Sequence, residues 1–204
     1  MIILALAFGT LLARGDEAKD IFTGFERNLH GRISASGYLV GKGADGANFK
    51  ESFLLQKPKS FRVIDDIVEM YCNGKVQFNY LPDEKAYFKP DMSSGFGAGT
   101  PDALDAFLGF PTGSRAPYFV NKTEFRMQTV DGRLCAAKAF HFESYGRDDR
   151  MVFYVDKASK QILGWDQVFG DRKIYFRFEN LRFDVDIPKG AFDWKPTPDL
   201  KERK

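Results

Sequence analysis

From Ile33 to Val185 the chain returns again and again to short runs of alternating apolar and polar side chains, separated by compact turn signals. Successive side chains of a strand point to opposite faces, so this alternation marks half-buried strands. Connections this short join antiparallel neighbours, because parallel strands need a crossover of a dozen or more residues. Ile33, Ala35, Gly37 and Leu39 fall on one side of a first strand, and Gly41 to Gly46 turns into a second. In that second strand, Phe49 to Lys57, the residues Phe53, Leu55 and Lys57 share a parity. Pro58-Lys59-Ser60 breaks it and Phe61-Arg62-Val63 resumes. Val68 to Cys72 then runs into Asn73-Gly74, a dipeptide suited to the positive φ of a tight hairpin. Val76, Phe78 and Tyr80 alternate beyond it, and Pro82-Asp83-Glu84 turns the chain back through Ala86 to Lys89.

The second half repeats this order. Glu124 to Val130, an Asp131-Gly132 hairpin, Leu134 to Tyr145, a turn at Gly146 to Asp149, and Met151 to Val155 follow one another. Gln161 to Phe169 and a long strand from Lys173 to Val185 close the series. The chain has 21 Phe and 8 Tyr, residue types that favour pleated, half-buried surfaces, and they concentrate in these runs. With 204 residues and no composition shift or linker, one mainly β domain is expected.

Two segments break the period of two. Ala18, Ile21, Phe22, Phe25 and Leu29 are spaced by three and four, which predicts a helix from Asp16 to Leu29. Met92 to Gly99 reads as a Ser/Gly-rich loop, and Thr100-Pro101-Asp102 has the cap and first-position Pro of a helix start. Ala103, Leu104, Phe107 and Leu108 form an apolar stripe on that short helix, a candidate lid over the sheet. Ahead of all this, residues 1–13 are uncharged and apolar but too short to span a bilayer. Small residues at Ala13 and Gly15 fit cleavage after Gly15, so residues 1–15 read as a signal peptide and 16–204 as the single domain. A buried N-terminal helix is the competing reading.

Catalytic patterns are missing. His30 sits at a predicted helix end and His141 in a strand, as a surface or interface residue, each without a second metal-type ligand nearby. Asp65-Asp66 reads as a solvated strand end and Asp148-Asp149 as turn chemistry. Cys72 and Cys135 match no C-x-x-C pattern and are either a pair or two buried thiols. Positive and negative residues interleave to a formal charge of +2, without the basic and aromatic platform of a nucleic-acid binder. No enzyme, metal, cofactor or nucleic-acid partner is expected.

Two stretches carry a family resemblance. Phe53-Leu-Leu-Gln-Lys57-Pro58-Lys-Ser-Phe61-Arg62-Val63, followed by Tyr71-Cys-Asn73-Gly74-Lys75-Val76-Gln-Phe78-Asn-Tyr80, resembles the early strands of the LolA-like lipoprotein carriers. Asp186-Ile187-Pro188 and Phe192-Asp-Trp194-Lys-Pro196 are similar to that family's closing step. The resemblance implies an incomplete, curved antiparallel barrel whose open side is capped by short helices around an apolar cavity. It also implies a periplasmic carrier of lipid or lipoprotein acyl chains, working with a membrane-bound donor and acceptor. Lys57 stands where the family commonly has arginine, and Val63 where it has a large aromatic residue.

On parity, Phe53, Leu55, Phe61, Val63, Phe78 and Tyr80 are expected to line the cavity, with Leu104, Phe107 and Leu108 from the lid. Lys57 is expected to meet carbonyls at the C-terminal end of the lid helix, where a cation is favoured. The alternative is an envelope stress sensor or regulatory module that binds a protein partner on the same fold.

Overall fold

The computed structural model describes residues 2–42, 46–90, 120–144 and 147–203. They form helix α1 (Ile2–His30) and twelve strands. The first six are β1 (Ser34–Lys42), β2 (Asn48–Gln56), β3 (Ser60–Ile64), β4 (Glu69–Asn73), β5 (Gln77–Leu81) and β6 (Ala86–Phe88). Then come β7 (Val120–Val130), β8 (Arg133–Ser144), β9 (Arg147–Asp156), β10 (Ile162–Phe169), β11 (Arg172–Phe183) and β12 (Lys201–Glu202). The strands belong to one open sheet in the order β12-β6-β5-β4-β3-β2-β1-β11-β10-β9-β8-β7. The short β12 runs parallel to β6, whereas β2 to β6 and β7 to β11 pair antiparallel along each meander. The expected class, a mainly β chain with an N-terminal helix and an antiparallel sheet that does not close, is therefore the one found. The expected lid, Leu104, Phe107 and Leu108 included, lies outside the described residues.

The chain divides into two compact units. The first contains Met1–Leu29, Gly41–Asn48 and Pro117–Phe178. Its helix face is the one read from the spacing: Ala18, Phe22 and Phe25 are buried against Ala136 and Val155, with Ile21, Leu29, Phe125, Met127, Phe153 and Ile162 around them. The helix begins well before Asp16 and runs unbroken through Gly15. Among the described residues no helix is long and apolar enough to cross a membrane. Asp131 and Gly132 both take positive φ (49° and 76°), the geometry that a two-residue hairpin with strand-like twist requires. Where β10 bulges, Gly164 is indispensable: an added Cβ would lie 2.0 Å from the Phe176 carbonyl oxygen.

Two expectations in this unit are corrected. Asp149 is not a turn residue; β9 starts at Arg147, and the buried Asp149 accepts the Gly170 amide through Oδ1 at 3.0 Å. His141 is not a surface residue. Its side chain is 17% exposed, with Nε2 3.4 Å from Glu124 Oε2 of the neighbouring strand.

The second unit contains His30–Val40, Phe49–Ala116 and Glu179–Lys204. Its β4–β5 hairpin turns on Gly74 (φ 86°), and Asn73 Oδ1 accepts the amides of Lys75 and Val76, both at 3.1 Å. Asp65 is a turn builder rather than a solvated strand end, its Oδ1 taking the Ile67 and Val68 amides at 2.7 and 2.6 Å. Gly37 admits the Phe53 ring, whose Cζ would stand 3.0 Å from a Cβ placed there. Cys72 and Cys135 are free, buried thiols, and burial pushes both up in pKa.

Candidate functional site

In the second unit the register assembles an apolar face. Phe53 lies opposite Val63 and Leu55 opposite Phe61; Phe61 and Val63 in turn face Cys72 and Met70. All six are buried, none more than 4% exposed. Four of the six sheet residues expected to line a cavity therefore do share one face.

Phe78 and Tyr80 do not share it. Cys72 pairs with Gln77, and Met70 with Asn79, so the face turns polar at β5. Gln77 and Asn79 are buried there, with Gln77 Nε2 donating to Asn79 Oδ1 at 2.8 Å. Phe78 and Tyr80 point to the opposite face, where Trp194 is gathered with them. Its ring centroid lies 5.3 Å from Phe78, 5.5 Å from Tyr80, 5.7 Å from Tyr87 and 6.0 Å from Tyr71. The two-residue turn at Gly74-Lys75 decides this. A one-residue difference in how a turn is counted moves every later side chain to the other face.

Two charged groups border the apolar face. Lys57 Nζ donates to the His30 carbonyl at 3.0 Å, so the helix end it meets is that of α1. The backbone N–H of Lys57 also donates to Ile33 O at 2.9 Å. Burial lowers the Lys57 ammonium, opposed by the negative charge of Asp184. Glu51, at the parity of Phe53 and Leu55, has a buried Oε2 without a hydrogen-bond partner. Burial first, and then the nearby Asp65, push its carboxyl up to about 7.

In the first unit the helix-bearing face carries an aromatic ladder that sequence reasoning left out of the site. Phe140 and Phe153 meet edge to face at 5.9 Å. Trp165 stacks on Phe153 at 6.0 Å and on Phe176 at 4.4 Å, and Phe178 lies 5.8 Å away. Trp165 is buried and its Nε1 has no hydrogen-bond partner, whereas the four phenylalanines are half-buried. The available signal was the run Tyr175 to Phe178, aromatic on both parities. Only the pairing of Trp165 with Phe153 and Phe176 gathers the rings into one row. Lys138 joins this face, 5.1–5.8 Å above the Phe22, Phe125 and Phe140 rings and bonded to Glu26 at 2.6 Å. Among the described residues no group of His, Cys, Asp and Glu is placed to hold a metal.

An open, mainly antiparallel β-sheet with an amphipathic N-terminal helix and greasy faces defines the class of protein. No family model matches the chain, and no curated protein matches it. Its solved structural neighbours include a DUF1329 family protein from Desulfovibrio piger, 16% identical at TM-score 0.40 over 88% of this chain and 97% of that one. A LolA superfamily protein from Nitrosomonas europaea is 8% identical at TM-score 0.39, over 87% and 97%. The Pseudomonas aeruginosa MucA/MucB complex is 13% identical at TM-score 0.45, over 91% of this chain and 62% of that one.

Proposed function

We propose that the chain is a carrier that holds the acyl chain of a lipid or lipoprotein against its apolar sheet surface. The observation that carries this reading is the ladder of half-buried Phe140, Phe153, Phe176 and Phe178 around the buried Trp165. It crosses four strands, a width of about 14 Å at the usual strand spacing. Each methylene removed from water there contributes about 0.8 kcal/mol, so a modest length of chain suffices for binding. In the other unit, Phe53, Leu55, Phe61 and Val63 form an apolar face that is already buried. Leu104, Phe107 and Leu108 are proposed as lid residues over an apolar site, and Lys57 as a clamp on a helix end. Residues 1–15 are proposed as an export signal, and membrane-bound proteins as donor and acceptor of the cargo.

The two tryptophans make the test direct. In a Trp194→Phe variant only Trp165 fluoresces, and a bromine-labelled fatty acid should quench it saturably, with an unlabelled fatty acid reversing the effect. Absence of saturable quenching would refute acyl binding at the ladder. An intact mass that retains residues 1–15 after expression in a secreting host would remove the export step.

A further inference from the structure

We propose a second site, distinct from the acyl surface: a cationic cleft on the other face of the first unit that binds a phosphate ester. This goes beyond the carrier reading and does not depend on it. Parity sets the location. Phe125, Met127, Phe153 and Val155 pack toward α1, so Arg126, Gln128, Val152 and Tyr154 face away from it. On that far side lies an open cleft of about 320 Å³. Its charged lining is Arg126, Arg150, Lys173 and Arg177 against Asp131 and Asp166. Four cations against two carboxylates leave a surplus of two positive charges, enough for the single charge of a phosphodiester or both charges of a phosphomonoester.

The floor of the cleft is already set. Asp166, 4% exposed, receives Tyr154 Oη at 2.8 Å, Arg177 Nη1 at 2.9 Å and Lys173 Nζ at 2.9 Å. Burial works to raise its carboxyl, but the bonds from Lys173, Tyr154 and Arg177 outweigh it and hold the group below the usual carboxylate range. Arg177 is itself held by Asp131 Oδ2 at 2.6 Å and by the carbonyls of Trp165 and Phe176 at 3.2 and 2.9 Å. A buried ion pair of this kind contributes little net stability but fixes geometry. Its acidic members are saturated by Arg177 and Lys173. The guanidinium groups of Arg126 and Arg150 have no carboxylate partner among the described residues.

Planar guanidinium forks match the oxygens of phosphate, and two of them line one cleft whose floor is already set, Arg150 half-buried and Arg126 exposed at the rim. The neutral lining includes Gln128, whose amide offers a donor and an acceptor suited to the hydroxyls of a small polyol. The ligand chemistry is therefore a phosphate ester of a small hydroxylated group. A lipid headgroup and a soluble metabolite both offer it.

Titration calorimetry with sn-glycerol 3-phosphate tests the site, and flotation with phosphatidylglycerol or phosphatidylcholine vesicles separates the sources. The probe should bind with a Kd of about 1 mM or tighter, and the Arg126→Gln/Arg150→Gln double variant should weaken it at least about tenfold. Both side chains reach the cleft from strand positions outside the core, and far-UV circular dichroism and Trp165 quenching should stay at wild-type values. In the double variant, loss of glycerol phosphate binding together with loss of the preference for phosphatidylglycerol vesicles assigns a lipid headgroup. Loss of glycerol phosphate binding with vesicle binding unchanged assigns a soluble ester. No heat at about 10 mM probe, affinity equal in wild type and double variant, or capture of a Glu-rich peptide in place of the phosphate would overturn the proposal.

Discussion

The two units cover their sheets by different means. In the first, two turns of α1 bury Ala18, Phe22 and Phe25 across β7, β8 and β9. In the second, the aromatic face of β4 to β6 is covered by an irregular C-terminal segment through one side chain, Trp194. That segment is fixed by the two-residue pairing of β12 with β6 and by Arg203 bonding Glu84 and the Tyr87 carbonyl. A helix distributes its contacts along a stripe, whereas an irregular strap concentrates them. Damage should therefore be global in the first case and local in the second.

The largest effect is expected at the helix. Phe22 is 4% exposed and meets Phe25 and Phe125 edge to face at 6.1 and 6.3 Å. Phe22→Ala should lower the unfolding free energy by about 3–5 kcal/mol, read as a shifted urea midpoint. A loss below about 1 kcal/mol would show that the helix is not what stabilises β7 to β9.

Trp194→Ala should follow, at about 2–3 kcal/mol, below the full cost of an aromatic deletion because the ring is only half-buried. Its signature is local: faster amide exchange in β5, β6 and residues 186–203, with α1 protected as before. Acceleration in α1 of the same size would abolish the contrast between stripe and strap.

The same contrast explains what could be read from the residues alone. A stripe is written in neighbouring positions, so Ala18, Phe22 and Phe25 were identifiable from spacing, as were the strands and the Asp131-Gly132 turn; the hairpin near Gly74 was legible too, but its turn pair is Gly74-Lys75 and not Asn73-Gly74. The strap is not local. Trp194 meets Tyr71, and nothing near either residue encodes the meeting. The division of the expected cavity residues has a related cause. Phe53, Leu55, Phe61 and Val63 are joined by adjacent strands, and their parity carries across. Between Cys72 and Phe78 the parity passes through a turn, and only the turn geometry tells that Gln77, not Phe78, continues the face. The aromatic ladder needed three strand registers at once, and sequence supplies none of them.

The next effect separates the units by pH. Asp166 in the first unit is held below its usual range, so the stability it contributes is present at neutral pH and lost as pH falls through its folded value. Glu51 in the second is raised from 4.5 to about 7. Between those values the unfolded chain has released this proton and the folded chain retains it, so rising pH erodes stability. Glu51→Gln should therefore stabilise the protein by about 1–2 kcal/mol at pH 8, a figure reduced for the group's partial exposure, and by nothing at pH 4. Equal gains at both pH values would mean that desolvation of the charge is not the cause.

The smallest effect concerns the junction where the α1 backbone ends. Lys57 was expected at the C-terminal end of the lid helix, which lies outside the described residues; the helix end it reaches among them is that of α1, at His30. Its ammonium sits 3.0 Å from that carbonyl, one of the last four in α1 that have no partner within the helix. Lys57→Met keeps the aliphatic stem and the strand backbone, including the bond to Ile33, and removes only the charge. The loss should be about 0.3–1 kcal/mol, with faster amide exchange confined to the last turn of α1. The variant also tests the proposed clamp, because only a clamp links this turn to cargo release. Faster dissociation of a fluorescent fatty acid, with the urea midpoint shifted by no more than that amount, would make Lys57 a gate. Release at the wild-type rate beside a frayed last turn would make it a helix cap and nothing further.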